Sequence, residues 1–170
     1  MDQIGVVNDR QILYINIRKD SYWFDKLPYG NWCVFTVADN DDKQLLDGAV
    51  VHCMDKNVTY TCIAGQLAGV TELSFDIQIT KRTIEEEDKT GLPHDCEQSP
   101  ITTMHQNFSE GFWFATTVAF DGYRDINKVV CLDFTTKGVK QKITELIQKI
   151  NSGWLPSDEV IEYPTYDEQL

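Results

Sequence analysis

Residues 32–64, WCVFTVADNDDKQLLDGAVVHCMDKNVTYTCIA, decide the fold. Trp32 to Ala38 and Val58 to Ala64 are short β-branched and aromatic runs of the kind that fill a buried strand. Between them, Leu45, Leu46, Ala49, Val50 and Cys53 fall on one stripe at helical spacing, with Asp42 placed to cap the start. Strand, helix and strand in this order form a βαβ unit, which brings the two strands side by side and parallel.

The same pattern extends outward. Gln11 to Arg18 alternates apolar and polar residues, and Lys128 to Phe134 is a further apolar run, giving two more strands. Lys137 to Ser152 places Val139, Ile143, Leu146, Ile147 and Ile150 on one helical face, with Thr135 or Thr136 to cap it and Gly153 to end it. Asn107 to Phe120 starts with Asn107 and, three residues on, Glu110, a capping-box arrangement, and continues as a nearly all-apolar core helix. The expected architecture is α/β: a single three-layer domain over residues 1–153, with a mostly parallel sheet of four to five strands between helices. Residues 154–170, with five acids and no bases, form an acidic C-terminal arm.

Val70 to Arg82 reads two ways. Leu73, Phe75, Ile77 and Ile79 alternate strictly with Ser74, Asp76, Gln78 and Thr80, the period of a half-buried strand, whereas Leu73, Ile77 and Ile84 share a helical face. The alternating order of the other elements favours helix. Glu85 to Pro100, with Gly91, Pro93 and Pro100 and no apolar period, reads as an exposed connection.

The chain of 170 residues carries 27 acidic against 15 basic side chains, a formal charge of -12. This disfavours nucleic-acid partners and anionic membrane surfaces, both of which select local excess of Lys and Arg. The excess is local: residues 58–100 and 153–170 contribute -5 each, while 136–152 is +3. No run approaches the length of a membrane span and Met1 to Arg10 lacks the features of a secretory signal, so a cytoplasmic protein is expected. Five scattered cysteines without a C-x-x-C pair read as reduced thiols.

Candidate chemistry is sparse. His94, Cys96 and His105 form H-x-C-x8-H, a spacing that matches no established zinc pattern, so neither a metal nor another cofactor is expected. Phosphate-binding glycine loops and a nucleophile elbow are lacking. Cys62, inside a strand, reads as a core thiol. Gly65, at the carboxyl end of a strand where α/β sheets place ligands, joins Thr102, Thr103 and His105 as an alternative ligand site.

Tyr60 to Gly65 (YTCIAG), Ile101 to His105 (ITTMH) and Asn107 to Phe114 (NFSEGFWF) together resemble an uncharacterised bacterial α/β domain family. In that family a Y-x-C-x-x-G strand is followed, after an acidic loop, by T-T-x-H and a Trp- and Phe-rich helix. The matching positions are Tyr60, Cys62, Gly65, Thr102, Thr103, His105, Glu110, Trp113, Phe114 and Ala115. Met104 departs from the aromatic residue typical before the histidine. The resemblance spans residues 30–135 and implies a fold rather than a reaction.

Size and acidity are similar to those of immunity proteins. The expected function is therefore a non-enzymatic acidic binding protein that neutralises a basic partner, such as a bacterial toxin domain with nuclease activity. The expected contact residues are Glu85, Glu86, Glu87 and Asp88 with Asp158, Glu159, Glu162, Tyr163 and Tyr166. The alternatives are a ligand-binding or hydrolytic enzyme using the site near His105, and a structural or assembly protein.

Overall fold

A computed structural model describes residues 1–39 and 43–157. The chain forms β1 (Asp2–Val7), β2 (Arg10–Asn16), β3 (Trp32–Val37), α1 (Lys43–Asp55), β4 (Tyr60–Ala64), α2 (Ala68–Thr90), β5 (Ile101–Met104), α3 (Phe108–Thr117), β6 (Lys128–Asp133) and α4 (Lys140–Asn151). The strands make one mixed sheet in the order β1-β2-β6-β3-β4-β5, parallel throughout except for the β1–β2 hairpin.

All four expected strands are present, and the sheet has six rather than four to five. The two additions are its edges. β1 turns into β2 through Asn8 and Asp9, both at positive φ, the backbone of a two-residue hairpin that matches strand twist. β5 is only four residues long, with Ile101 and Met104 exposed.

Each face of the sheet buries its own core. On one side, Leu46, Ala49, Val50 and Cys53 of α1 and Ala68 and Phe75 of α2 pack with Val34, Ile63, Val130 and Leu132. On the other, Phe108, Phe112 and Ala115 of α3 and Ile143, Leu146 and Ile147 of α4 pack with Phe35, Cys62, Val129 and Cys131. Trp32, Phe35, Phe75 and Phe112 are fully enclosed. Strands β3, β4 and β6 are buried on both faces, which is why they read as continuous apolar runs rather than alternations.

The segment 70–82 is helical, the reading that the element order favoured. Several other local expectations are corrected. α2 runs on to Thr90, so the acidic run 85–88 lies on a helix and not in the exposed connection expected from 85. The connection proper starts at Gly91, whose φ of 68° closes the helix as its amide donates to Glu87 O at 2.8 Å. α3 ends at Thr117 rather than Phe120. Neither Thr135 nor Thr136 caps α4, which begins only at Lys140; instead the Asp133 carboxylate accepts the Val139 amide at 2.9 Å. Gly153 follows α4 at positive φ, as expected. The cap assigned to Asp42 lies outside the described residues.

Candidate functional site

α2 is 23 residues long but has only three buried residues, Ala68, Thr71 and Phe75, all in its first three turns. At about 1.5 Å per residue it spans roughly 35 Å, far more than the short strand β5 beneath it. From Ser74 onward it is also held laterally. Arg82 donates to Asp55 at 2.7 Å on α1, and Ser74 donates to Asp47 at 3.3 Å. From β5, Thr102 donates to Asp76 at 3.2 Å.

The outward face of α2 carries an apolar stripe among polar and charged residues. Leu73, Ile77 and Ile84 are 58%, 55% and 53% exposed. With Asp76, Thr80, Lys81 and Glu85 they line a shallow depression of about 630 Å³. A half-exposed leucine or isoleucine is ordinary alone, but a stripe of three with charged borders is the composition of a contact surface.

The acidic run continues this face, though its members differ. Glu85 lines the depression and lies 3.8 Å from Lys81 one turn earlier. Glu86 meets His94 Nδ1 at 2.6 Å, and Glu87 accepts the His94 amide at 3.0 Å, so these two fold the connecting loop back onto the helix. Arg124 anchors the far side of that loop by donating to Gln98 O and Ser99 O, at 3.0 and 2.9 Å. Asp88 is exposed. The expected contact residues Asp158, Glu159, Glu162, Tyr163 and Tyr166, with most of the C-terminal arm, lie outside the described residues.

The alternative set divides between the two faces of the sheet. Thr102 turns toward α2, whereas Thr103 and His105 face α3, with Thr103 Oγ1 3.1 Å from His105 Nε2. Gly65 ends β4 at a φ of 95°, a backbone that leads directly into α2. His94 and His105 have separate partners, and among the described residues no three His, Cys, Asp or Glu side chains group to hold a metal.

Around His105 the sequence reading missed a constellation. The side chain of Asn107 caps α3 by accepting the amides of Ser109 and Glu110, which fixes Glu110 in the first turn. Glu110 Oε2 then reaches His105 Nδ1 at 2.8 Å. On the other edge of the ring, Thr103 Oγ1 lies 3.5 Å from Cys62 Sγ, and Cys33 Sγ lies 3.8 Å from the same sulfur. Cys62 is fully buried and His105 is 7% exposed. Burial works against charge on both groups. Hydrogen bonds and opposite charge outweigh it, raising His105 to about 9 through Cys62 and Glu110 and lowering the Cys62 thiol through Cys33, His105 and Thr103. Cys33 is pushed the other way, upward, by burial and by the neighbouring sulfur. The visible signal was the T-T-x-H spacing, because alternation along β5 sends the second threonine and the histidine to one face.

At the carboxyl ends of β2 and β6 a second buried group gathers on Asp133. Its carboxylate accepts from the Tyr14 hydroxyl, Asn16 Nδ2 at 3.1 Å, the Thr135 amide at 2.8 Å, Thr135 Oγ1 at 2.7 Å and the Val139 amide at 2.9 Å. Every donor comes from β2, the loop after β6 or the approach to α4, so the group fastens these elements together.

No helix among the described residues is long and apolar enough to cross a membrane. The chain belongs to a family described as a domain of unknown function, DUF7684, whose model matches residues 12–150, from β2 to the end of α4. No curated protein and no solved structure matches it.

Proposed function

We propose that this protein is an acidic binding module that occupies and neutralises a basic protein partner, in the manner of an immunity protein acting on a toxin domain such as a nuclease in the cytoplasm. The observation that carries the reading is the outward face of α2: an exposed apolar stripe of Leu73, Ile77 and Ile84 that runs directly into Glu85 and Asp88. The division of labour is physical. Apolar side chains supply contact area once water is excluded, and acids beside them favour a basic partner through complementary fields and speed its approach. A nuclease domain carries the matching positive charge because it must hold phosphates. The net charge of -12 supports the same partner class.

The test pairs the protein with basic domains encoded beside its gene, measuring complex formation and protection of cells. Covering a half-exposed leucine or isoleucine is worth about 1–1.5 kcal/mol. Leu73→Ala with Ile77→Ala should therefore weaken a complex by about thirty- to hundredfold. Glu85→Lys with Asp88→Lys should slow association and flatten its salt dependence. Failure to bind or protect against any such domain, or a complex indifferent to both double variants, would refute the proposal.

A further inference from the structure

The outward stripe of α2 follows a heptad. With Ile77 at position a, Val70 and Ile84 are also a, and Leu73 and Thr80 are d. The seam runs from Val70 to Ile84, about 21 Å of helix. Val70 is 37% exposed, and Leu73, Ile77 and Ile84 are each more than half exposed. The positions opposite the seam are tied to the domain instead: Phe75 is in the core, and Arg82 bonds to Asp55 of α1.

A helix packed on a sheet needs one buried face, and α2 already has it in Ala68, Thr71 and Phe75. The second stripe is surplus to the fold of one chain. The depression over it, from Leu73 to Glu85, is lined by α2 alone, so among the described residues no other element covers it.

Apolar residues at a and d pack against another helix with the same repeat, and the residue types select which. All three a residues are β-branched and the first d is leucine, the combination that favours two parallel strands. Thr80, at the second d, donates its hydroxyl to Asp76 O at 2.9 Å, so it brings no unpaired donor into the seam.

Charge points to the same partner. Asp76 is at g and Lys81 at e, five residues later. In a parallel pair these two positions meet across the seam, so Asp76 of each copy faces Lys81 of the other. In an antiparallel pair g meets g and e meets e, and neither charge finds its opposite. Thr102 steadies Asp76 by donating to one of its carboxylate oxygens, and the contact of Lys81 with Glu85, at 3.8 Å, is long for an ion pair.

Short coiled coils fail in water when both helices must form as they associate. Here the domain supplies α2 ready-made, through its buried residues and its bonds to α1 and β5. Two heptads make an interface at the small end of the range, so the pairing is reversible.

We propose that the free protein forms a symmetric dimer in which the α2 helices of two copies pair in parallel through Val70, Leu73, Ile77, Thr80 and Ile84. Of the proposed function it keeps only that the stripe is a contact surface, for which a second copy and a basic partner then compete. Salt separates the two. Each copy carries -12, and a parallel pair sets both acidic runs 85–88 side by side just beyond Ile84. Screening relieves that repulsion, so self-association strengthens as salt rises, whereas binding to a basic partner weakens.

The experiment is sedimentation equilibrium of the full-length reduced protein over a concentration series, at low and high salt. A monomer–dimer equilibrium tightened by salt is expected. Ile77→Glu, checked for folding by circular dichroism, should weaken the dimer about tenfold or more. Orientation is read from Ile77→Cys and Thr80→Cys, oxidised mildly and run on non-reducing gels beside the unaltered protein. In the parallel dimer each variant cross-links with itself; in an antiparallel one, where position 77 faces position 80, only their mixture does. A protein monomeric up to about 1 mM, a dimer that salt weakens or that folded Ile77→Glu leaves intact, or cross-linking confined to the mixture would each overturn the proposal. A monomer that binds a basic partner through the stripe would overturn this inference alone, and a dimer that binds none would overturn the proposed function alone.

Discussion

Replacing Asp133 with Asn tests whether the group at the carboxyl ends of β2 and β6 is a fastening point. The substitution keeps shape and volume, so it isolates the acceptor role. One carboxylate oxygen takes the Thr135 amide and hydroxyl, and the other takes Tyr14, Asn16 and the Val139 amide. An amide has only one acceptor oxygen. Whichever way it is turned, its NH2 faces a backbone N–H, that of Thr135 or of Val139, and a backbone donor cannot reverse. At least two hydrogen bonds to a charged acceptor are lost, each worth about 1.5–3 kcal/mol. After partial relaxation the expected loss is about 3–5 kcal/mol, the range seen when a buried charged network is broken. For a domain of this size each kcal/mol lowers Tm by about 2–4 °C, which predicts a fall of roughly 6–20 °C. Urea titration should show a lower midpoint with an unchanged slope. Tyr14→Phe should cost less, about 1.5–3 kcal/mol, because it removes only one donor and leaves the carboxylate its others. A loss below about 1 kcal/mol for Asp133→Asn would show that these contacts do not fasten the elements together.

Three further outcomes follow from the geometry on the α3 side. Gly111→Ala should destabilise by about 1–3 kcal/mol in thermal or urea unfolding, since the added methyl displaces His105; a stabilised variant would mean that helix propensity alone governs the position. Asn107→Ala should cost about 1 kcal/mol by releasing the amides of Ser109 and Glu110, read by urea titration with Asn107→Ser as the recovering control. The third concerns pH. His105, raised to about 9 from 6.5, contributes stability that is full below 6.5 and lost as pH rises through about 9. Cys62, lowered from 9.0, contributes stability that is present above 9.0 and lost as pH falls through its lowered value. Between those limits folding merely moves one proton from sulfur to imidazole, so the pair adds no slope to stability at neutral pH. The thiolate should nevertheless be visible in the ultraviolet at pH 7.5 and vanish in Cys62→Ser, and a spectrum unchanged by that variant would contradict the ion pair.

The central strands and α1 were legible because burial on two faces, or on one helical stripe, leaves a strong apolar pattern. The edges were not. β5 buries little, and ITTM carries no periodic signal over four residues, while β1 begins with exposed Asp2 and Gln3 and contains Gly5. The ambiguity at 70–82 has a sharper cause. Of the alternating set, only Phe75 is buried; Leu73 and Ile77 point outward. The strand-like period arose from adding exposed apolar residues to a helix whose buried face lies elsewhere, so the candidate contact surface is itself what obscured the helix. The Cys62 environment was hidden for a different reason: its members come from β3, β4, β5 and α3, and only the folded sheet brings them to one point.

The overhang of α2 also governs which changes the domain tolerates. Its outward side chains beyond Phe75 are separated from both cores, so replacing them typically moves stability by no more than about 0.5 kcal/mol. Under the proposed binding role, mutations on that face would be filtered by what the protein touches rather than by whether it folds. Recognition could then diverge along one helix while the sheet, the Asp133 fastening and the packing around His105 stay fixed, and a library randomised at positions 73, 77, 80, 81, 84 and 85 is a direct way to test that separation.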